Sequence, residues 1–267
     1  MNASSTDGEA AGEVPISQAA VLEALGVAQN AVLLGGQALA WWVARLDVPI
    51  HTIPAPRAYI SGDIDFLGAL DDVKRFAEAL RGETILPPRR AITALVGQVR
   101  ARAGARSYFG VDVIHKVIGV DAARVRRNAI EFTLARPAGV SFKVIEPVDL
   151  LLSRLENLRQ LEEKRNAVGV WQTELALLVC RAYIEDMLAR GEEKQARNTA
   201  TAIGRMAAHA TAIHAARAYG LEVLSAVPLA RFDEEKFRTE QWPRMVAAVD
   251  RKISPQERAA ARRNRPD

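Results

Sequence analysis

Two short stretches carry the side chains with the most chemistry in them. In GDIDFLG, residues 62–68, Asp63 and Asp65 are separated by a single isoleucine, and in SYFGVDVIH, residues 107–115, Asp112 stands between two valines. Side chains alternate faces along a strand, so a strand here puts Asp63 and Asp65 on one face and Ile64 and Phe66 on the other. Two carboxylates held that close repel each other unless something positive sits between them, and a divalent metal ion is the most economical answer. Asp112, a lone carboxylate in an apolar strand, is costly to bury without a partner and calls for the same kind of compensation.

The elements that must position these acids follow from periodicity. SQAAVLEALGV, behind the cap residue Ser17, reads as a helix. AVLL, residues 31–34, reads as a short buried strand running into Gly35-Gly36, and QALAWWVARL, residues 37–46, as the next helix. The proline-bearing stretch 47–60 is a connecting loop before the acid-bearing strand at 62–68, and a helix follows over 71–81. ITALVGQVRAR and SYFGVDVIHKVIG read as two longer strands, and IEFTLA with VSFKVI as a hairpin over 130–145. After Pro147 the composition shifts to Ala, Leu, Glu, Arg and Lys, with periodic helical stretches over 171–190 and 192–219. The expected organisation is a disordered tail over 1–14, a mixed α/β domain over 15–146, a helical domain over 147–253 and a solvated basic tail over 254–267.

Taken in order, the strand with its Gly-Gly turn (LLGG), the D-x-D strand (GDIDFLG) and the later acid (VDVIH) resemble the nucleotidyltransferase superfamily related to DNA polymerase β, and within it the minimal and AbiEii-type nucleotidyltransferases. The resemblance covers residues 31 to about 117. It implies an α+β fold, a polymerase β-like core of mixed sheet flanked by helices, followed by a C-terminal helical domain. It also implies transfer of an NMP from an NTP, ATP among them, to a hydroxyl acceptor. Asp63, Asp65 and Asp112 would be the catalytic acids and hold two Mg²⁺ ions, with Mn²⁺ as a substitute.

For nucleotide binding the resemblance points to the backbone amides of Gly35 and Gly36, where unpaired N–H groups and the positive end of a helix attract phosphate. Gly36 stands where many members carry a serine, and Ser61 is a substitute hydroxyl. Lys143, on VSFKVI, and Arg154 with Lys164, in the helical half, are the expected cations. Asp63 lies 27 positions after Gly36, a spacing that marks an insertion.

The acceptor stays open. An RNA or protein acceptor fits an AbiEii-like toxin with a cognate antitoxin; a small-molecule, antibiotic-type alcohol and a catalytically inactive nucleotide-binding module are the alternatives. The net charge of +4 suits an anionic ligand, and basic residues gather at Arg89, Arg90, Arg100, Arg102 and Arg106 and again in the tail. Other classes lack their signatures. The four histidines include no H-E-x-x-H pair, and neither a G-x-x-x-x-G-K-[ST] loop nor a G-x-S-x-G elbow occurs. The single cysteine, Cys180, reads as a core thiol. With no run of about 18 uninterrupted apolar residues, no membrane partner is expected, and the expected location is cytoplasmic.

Overall fold

The computed structural model describes residues 12–50, 63–105, 107–134 and 139–263. Contacts divide the chain into two units: Met1–Gln37, Ile60–Lys116 and Glu131–Val144 form the first, and Ala38–Tyr59, Val117–Ile130 and Ile145–Asp267 the second. The fold is α+β.

In the first unit, eight strands are β1 (Gly12–Glu13), β2 (Val32–Leu33), β3 (Asp63–Leu67), β4 (Glu83–Ile85), β5 (Leu95–Gly104), β6 (Ser107–Ile114), β7 (Ile130–Thr133) and β8 (Ser141–Val144). They form one mixed sheet in the order β4-β5-β6-β3-β2-β8-β7, with β1 added alongside β6. Strand β3 runs parallel to β6, with Asp65 opposite Asp112, and β5 runs antiparallel to β6, with Gln98 opposite Asp112. The sheet has two chemically distinct faces because apolar and polar residues alternate. Ile64, Phe66, Val99, Val111 and Val113 are fully buried on one of them. Helix α3 (Leu70–Ala79) packs there: Phe76 stacks on Phe66 with ring centroids 4.6 Å apart, and Val73 lies against Gly97 of β5. The acidic residues after β3 belong to this helix. Asp72 accepts a hydrogen bond from the Ala69 amide at 2.7 Å and pairs with Arg75, so it closes the helix start.

Helix α1 (Gln18–Val27) begins at Ser17, whose hydroxyl accepts from the Ala20 amide as its sequence implies. Strand β1 corrects the expectation of a disordered 1–14 tail for its last residues. Strand β3 begins at the level of Gly110, which leaves the edge of β6 at Ser107 and Tyr108 open, and β1 pairs into that gap, continued by the Val14 amide bonding to the Tyr108 carbonyl at 2.8 Å. The rest of that tail, residues 1–11, lies outside the described residues, as do 51–62 of the insertion.

Helix α2 (Gly35–Arg45) carries the chain into the second unit, where Trp42 is buried, donates to the Ile145 carbonyl at 2.9 Å and packs on Tyr183. The remaining helices are α4 (Ala122–Asn128), α5 (Pro147–Gln160), α6 (Ala167–Ala189), α7 (Glu193–Ala207), α8 (Ala210–Tyr219), α9 (Trp242–Asp250) and α10 (Pro255–Arg263). Helix α5 packs against α6, α7 and α8, and Cys180 of α6 is fully buried, its thiol donating to the Pro147 carbonyl. Helix α6 is, among the described residues, long and apolar enough to cross a membrane by length and composition, although Gln172, Glu174 and Arg181 interrupt it, so it is no uninterrupted apolar run. In the structure 56% of its most apolar window is buried within the protein, which is the pattern of a core helix.

Three further differences from the sequence reading have local causes. The stretch 192–219 is two helices, because the chain breaks at Ala208 and His209, and the Ala208 carbonyl accepts from the Lys252 ammonium at 2.6 Å. Helix α4 was not anticipated; Asp121 caps it through the Arg124 amide, and Arg124 and Asn128 reach the fully buried carboxylate of Asp149 at 2.6 and 3.1 Å. The basic tail is not merely solvated. Ser254 and Glu257 bond to each other's amides as a capping box that starts α10, Arg258 pairs with Asp250, Arg262 pairs with Glu222, and Ala261 is buried.

Glu146 caps α5 by accepting from the Val148 and Asp149 amides at 3.0 and 3.2 Å. Burial, with Asp149 adding to it, pushes its carboxyl up from 4.5 to about 7. Between those two values the folded chain keeps a proton that the unfolded chain releases, so this group's contribution to stability is full below pH 4.5 and is lost as pH rises towards 7. The loss amounts to at most about 3 kcal/mol. Glu146→Gln keeps an acceptor for the cap and removes the titration, so its thermal midpoint should fall less than wild type between mildly acidic and neutral pH. Identical slopes for the two proteins would refute this. Asp149, raised chiefly by burial, remains to give the variant a residual slope of the same sign.

Candidate metal centre

The polar face of the first unit's sheet gathers the acids. Because β3 and β6 pair in parallel register, the alternation that puts Ile64, Phe66, Val111 and Val113 into the core turns Asp63, Asp65 and Asp112 to the opposite side. All three are half-buried, and each offers one carboxylate oxygen such that the three lie within 4.8 Å of one another. A cation with oxygens at 2.0–2.1 Å places opposite ligands about 4.2 Å apart, and one with oxygens at 2.3–2.6 Å places them about 5 Å apart. The cluster can therefore hold a divalent metal ion, with the three oxygens drawing closer around the smaller cation. Three acidic oxygens with no competing nitrogen or sulfur ligand among them make a hard-cation donor set.

Two neighbours fix the acids in place. The Gln98 side-chain amide, across the ladder on β5, donates to Asp112 Oδ1 at 2.8 Å and so orients that carboxylate. On the other side, the end of β2 is tied to β3 by the Leu34 amide donating to the Asp65 carbonyl at 2.8 Å. The next residue, Gly35, has φ +63°, and a Cβ built on it would lie 1.9 Å from Asp65 Oδ2. The first turn of α2 is thus pressed directly against the carboxylate of Asp65, which only glycine permits.

Lys143 lies on the same face. It pairs with Val32, which pairs with Leu67, and Leu67 is two residues beyond Asp65 on β3. Gly36 follows Gly35 in the first turn of α2. Ser61 lies outside the described residues. Arg154 and Lys164 belong to the second unit. Arg154 is buried there and donates to Gln172 on α6 at 2.9 Å, an interhelical role, while Lys164 is exposed in the turn 162–164 after α5. Of the residues singled out in the sequence, the structure brings together the three acids, Gly35 and, on the same face, Lys143.

Gln98 was missed by sequence reasoning. Its signal was the alternation in LVGQVRAR, which puts Gln98, Arg100 and Arg102 on one face with Val99 and Ala101 on the other, although only the register to β6 reveals which acid it meets. No family model matches this chain, and neither a curated protein nor a solved structure is significantly similar to it.

Proposed function

We propose that the protein is a metal-dependent nucleotidyltransferase of the polymerase β-like, minimal or AbiEii-type kind, moving an NMP from an NTP to a hydroxyl acceptor. The observation that carries this reading is the convergence of Asp63, Asp65 and Asp112, whose oxygens lie within 4.8 Å of one another, beside a glycine-started helix packed on Asp65. A single metal cluster would fit many functions. A cluster set against the open amides of a helix start is suited to a ligand that brings both phosphate and cation.

Mg²⁺ bound there, as two ions with Mn²⁺ able to replace them, supplies neutralisation of triphosphate charge and acidification of an acceptor hydroxyl. Asp63 and Asp65 hold the cations on one strand, with the amides of Gly35 and Gly36 offered to phosphate oxygens. Lys143 adds positive charge on the same face. Asp112, oriented by Gln98, takes the acceptor's proton as its oxygen bonds to the α-phosphorus and pyrophosphate departs. Positioning and charge neutralisation account for the rate, as expected of phosphoryl chemistry.

The test is incubation of the pure protein with Mg²⁺ and each α-labelled NTP, with and without total tRNA. The expected result is label transferred to an acceptor, abolished by EDTA and restored by Mg²⁺ or Mn²⁺. Absence of both NTP affinity and cation binding would sink the reading.

A further inference from the structure

The same sheet face that carries the acids continues into a trough of arginines. Strands β4, β5 and β6 frame a cavity of about 440 Å³ whose lining includes Arg81, Glu83, Arg100, Arg102, Ser107 and Tyr108. Three guanidiniums against one carboxylate leave the trough with a net positive charge. Among the side chains the structure describes, Arg81, Arg100 and Arg102 form no ion pair with a carboxylate. Arg100 is held in place all the same: its guanidinium sits over the Tyr108 ring, 4.4 Å from the centroid.

The ladder register ties this trough to the acids. Arg100 is opposite Gly110 on β6, and Gly110 is opposite Asp63 on β3. With strands spaced about 4.8 Å, the Arg100 and Asp63 backbones are roughly 10 Å apart on one face. The residue between them is a glycine, so no side chain walls one off from the other. Exposed guanidiniums on a sheet face, one of them held over an aromatic ring, suit a strand of alternating phosphates and bases. The phosphates meet arginine forks, and bases stack on guanidinium planes or rings. An acidic peptide would use the charge but not the flat stacking surfaces.

We propose that the trough of Arg81, Arg100, Arg102 and Tyr108 docks the backbone of a single-stranded RNA acceptor and presents its hydroxyl to the acidic cluster. The inference rests on the transferase reading for where the strand leads; the docking itself is measurable without any transfer.

The experiment is fluorescence anisotropy of a labelled single-stranded RNA of about twelve nucleotides, titrated with the full chain over about 0.05–0.2 M salt. Three phosphate contacts predict a slope of log K against log salt near −2. The double variant Arg100→Gln, Arg102→Gln should bind at least about tenfold more weakly at the low-salt end, with a slope shallower by about 1.4. Both positions are exposed, and a thermal midpoint equal to wild type certifies the fold. Asp65→Asn should bind RNA as wild type does while losing transfer, which keeps docking and chemistry distinguishable. Two outcomes would overturn the proposal: equal RNA affinity and slope in the double variant, or displacement of the RNA by poly-glutamate as readily as by unlabelled RNA, which would assign the trough to an acidic protein. If the double variant keeps its RNA affinity while wild type still transfers label, the docking proposal falls and the transferase reading stands.

Discussion

On the proposed transferase reading, Asp65→Asn should lose nucleotidyl transfer by at least about a thousandfold, equivalent to roughly 4 kcal/mol of transition-state stabilisation, while the fold survives. Asp65 faces Asp112 across the ladder and has Gly35 packed on its carboxylate. Asparagine keeps the shape but offers a neutral oxygen and an N–H₂ where a cation needs charge. The stability readout has a sign that a merely structural role would not give. Wild type gains stability on adding Mn²⁺, about 2.7 kcal/mol at a hundred times the dissociation constant, and the variant loses most of that gain. Unchanged turnover, or an unchanged Mn²⁺-dependent rise in thermal midpoint, would reject the role given to Asp65.

Much of this site was legible because strand alternation is a strong rule. DIDFL and VDVI each commit their apolar residues to a core face, and the acids have nowhere to go but the other one. What alternation cannot supply is register. That Asp65 meets Asp112, and that Gln98 rather than a neighbour steadies it, depends on pairings between segments far apart in the chain. Short elements were illegible for a related reason. Strands β1 and β4 have two and three residues, too few to show a period, and exist because a partner strand offers an open edge. Helix α4 rests on the buried Asp149 contact with Arg124 and Asn128, which comes from another helix. In the Ala-rich stretch of α7 and α8 almost every position is compatible with a helix, so nothing local marks the break at Ala208. The capping box at Ser254 is local and present in the sequence, but the arginines that follow it are equally compatible with a solvated basic end.

Replacing Gly35 by alanine is the sharpest probe of how the helix start and the acids depend on each other. Two costs add at this position. A non-glycine residue at φ +63° pays about 1–3 kcal/mol of backbone strain, and its Cβ would sit 1.9 Å from Asp65 Oδ2, a separation that cannot persist. The Asp65 backbone cannot yield freely, because its carbonyl accepts from the Leu34 amide and its strand is paired on both sides. The carboxylate must therefore swing away or the first turn of α2 must shift, and each movement opens the cluster that the three acids form. Gly191 provides the comparison, since it has φ +76° with nothing within 4 Å of a built Cβ. Gly191→Ala should show the strain alone, a modest drop in thermal midpoint with cation binding intact. Gly35→Ala should show a larger drop and at least about a tenfold weaker Mn²⁺ affinity, the size of effect seen when the support of a metal ligand is disturbed. If both variants lose similar stability and both keep wild-type Mn²⁺ affinity, the close approach of α2 to Asp65 has no part in building the site.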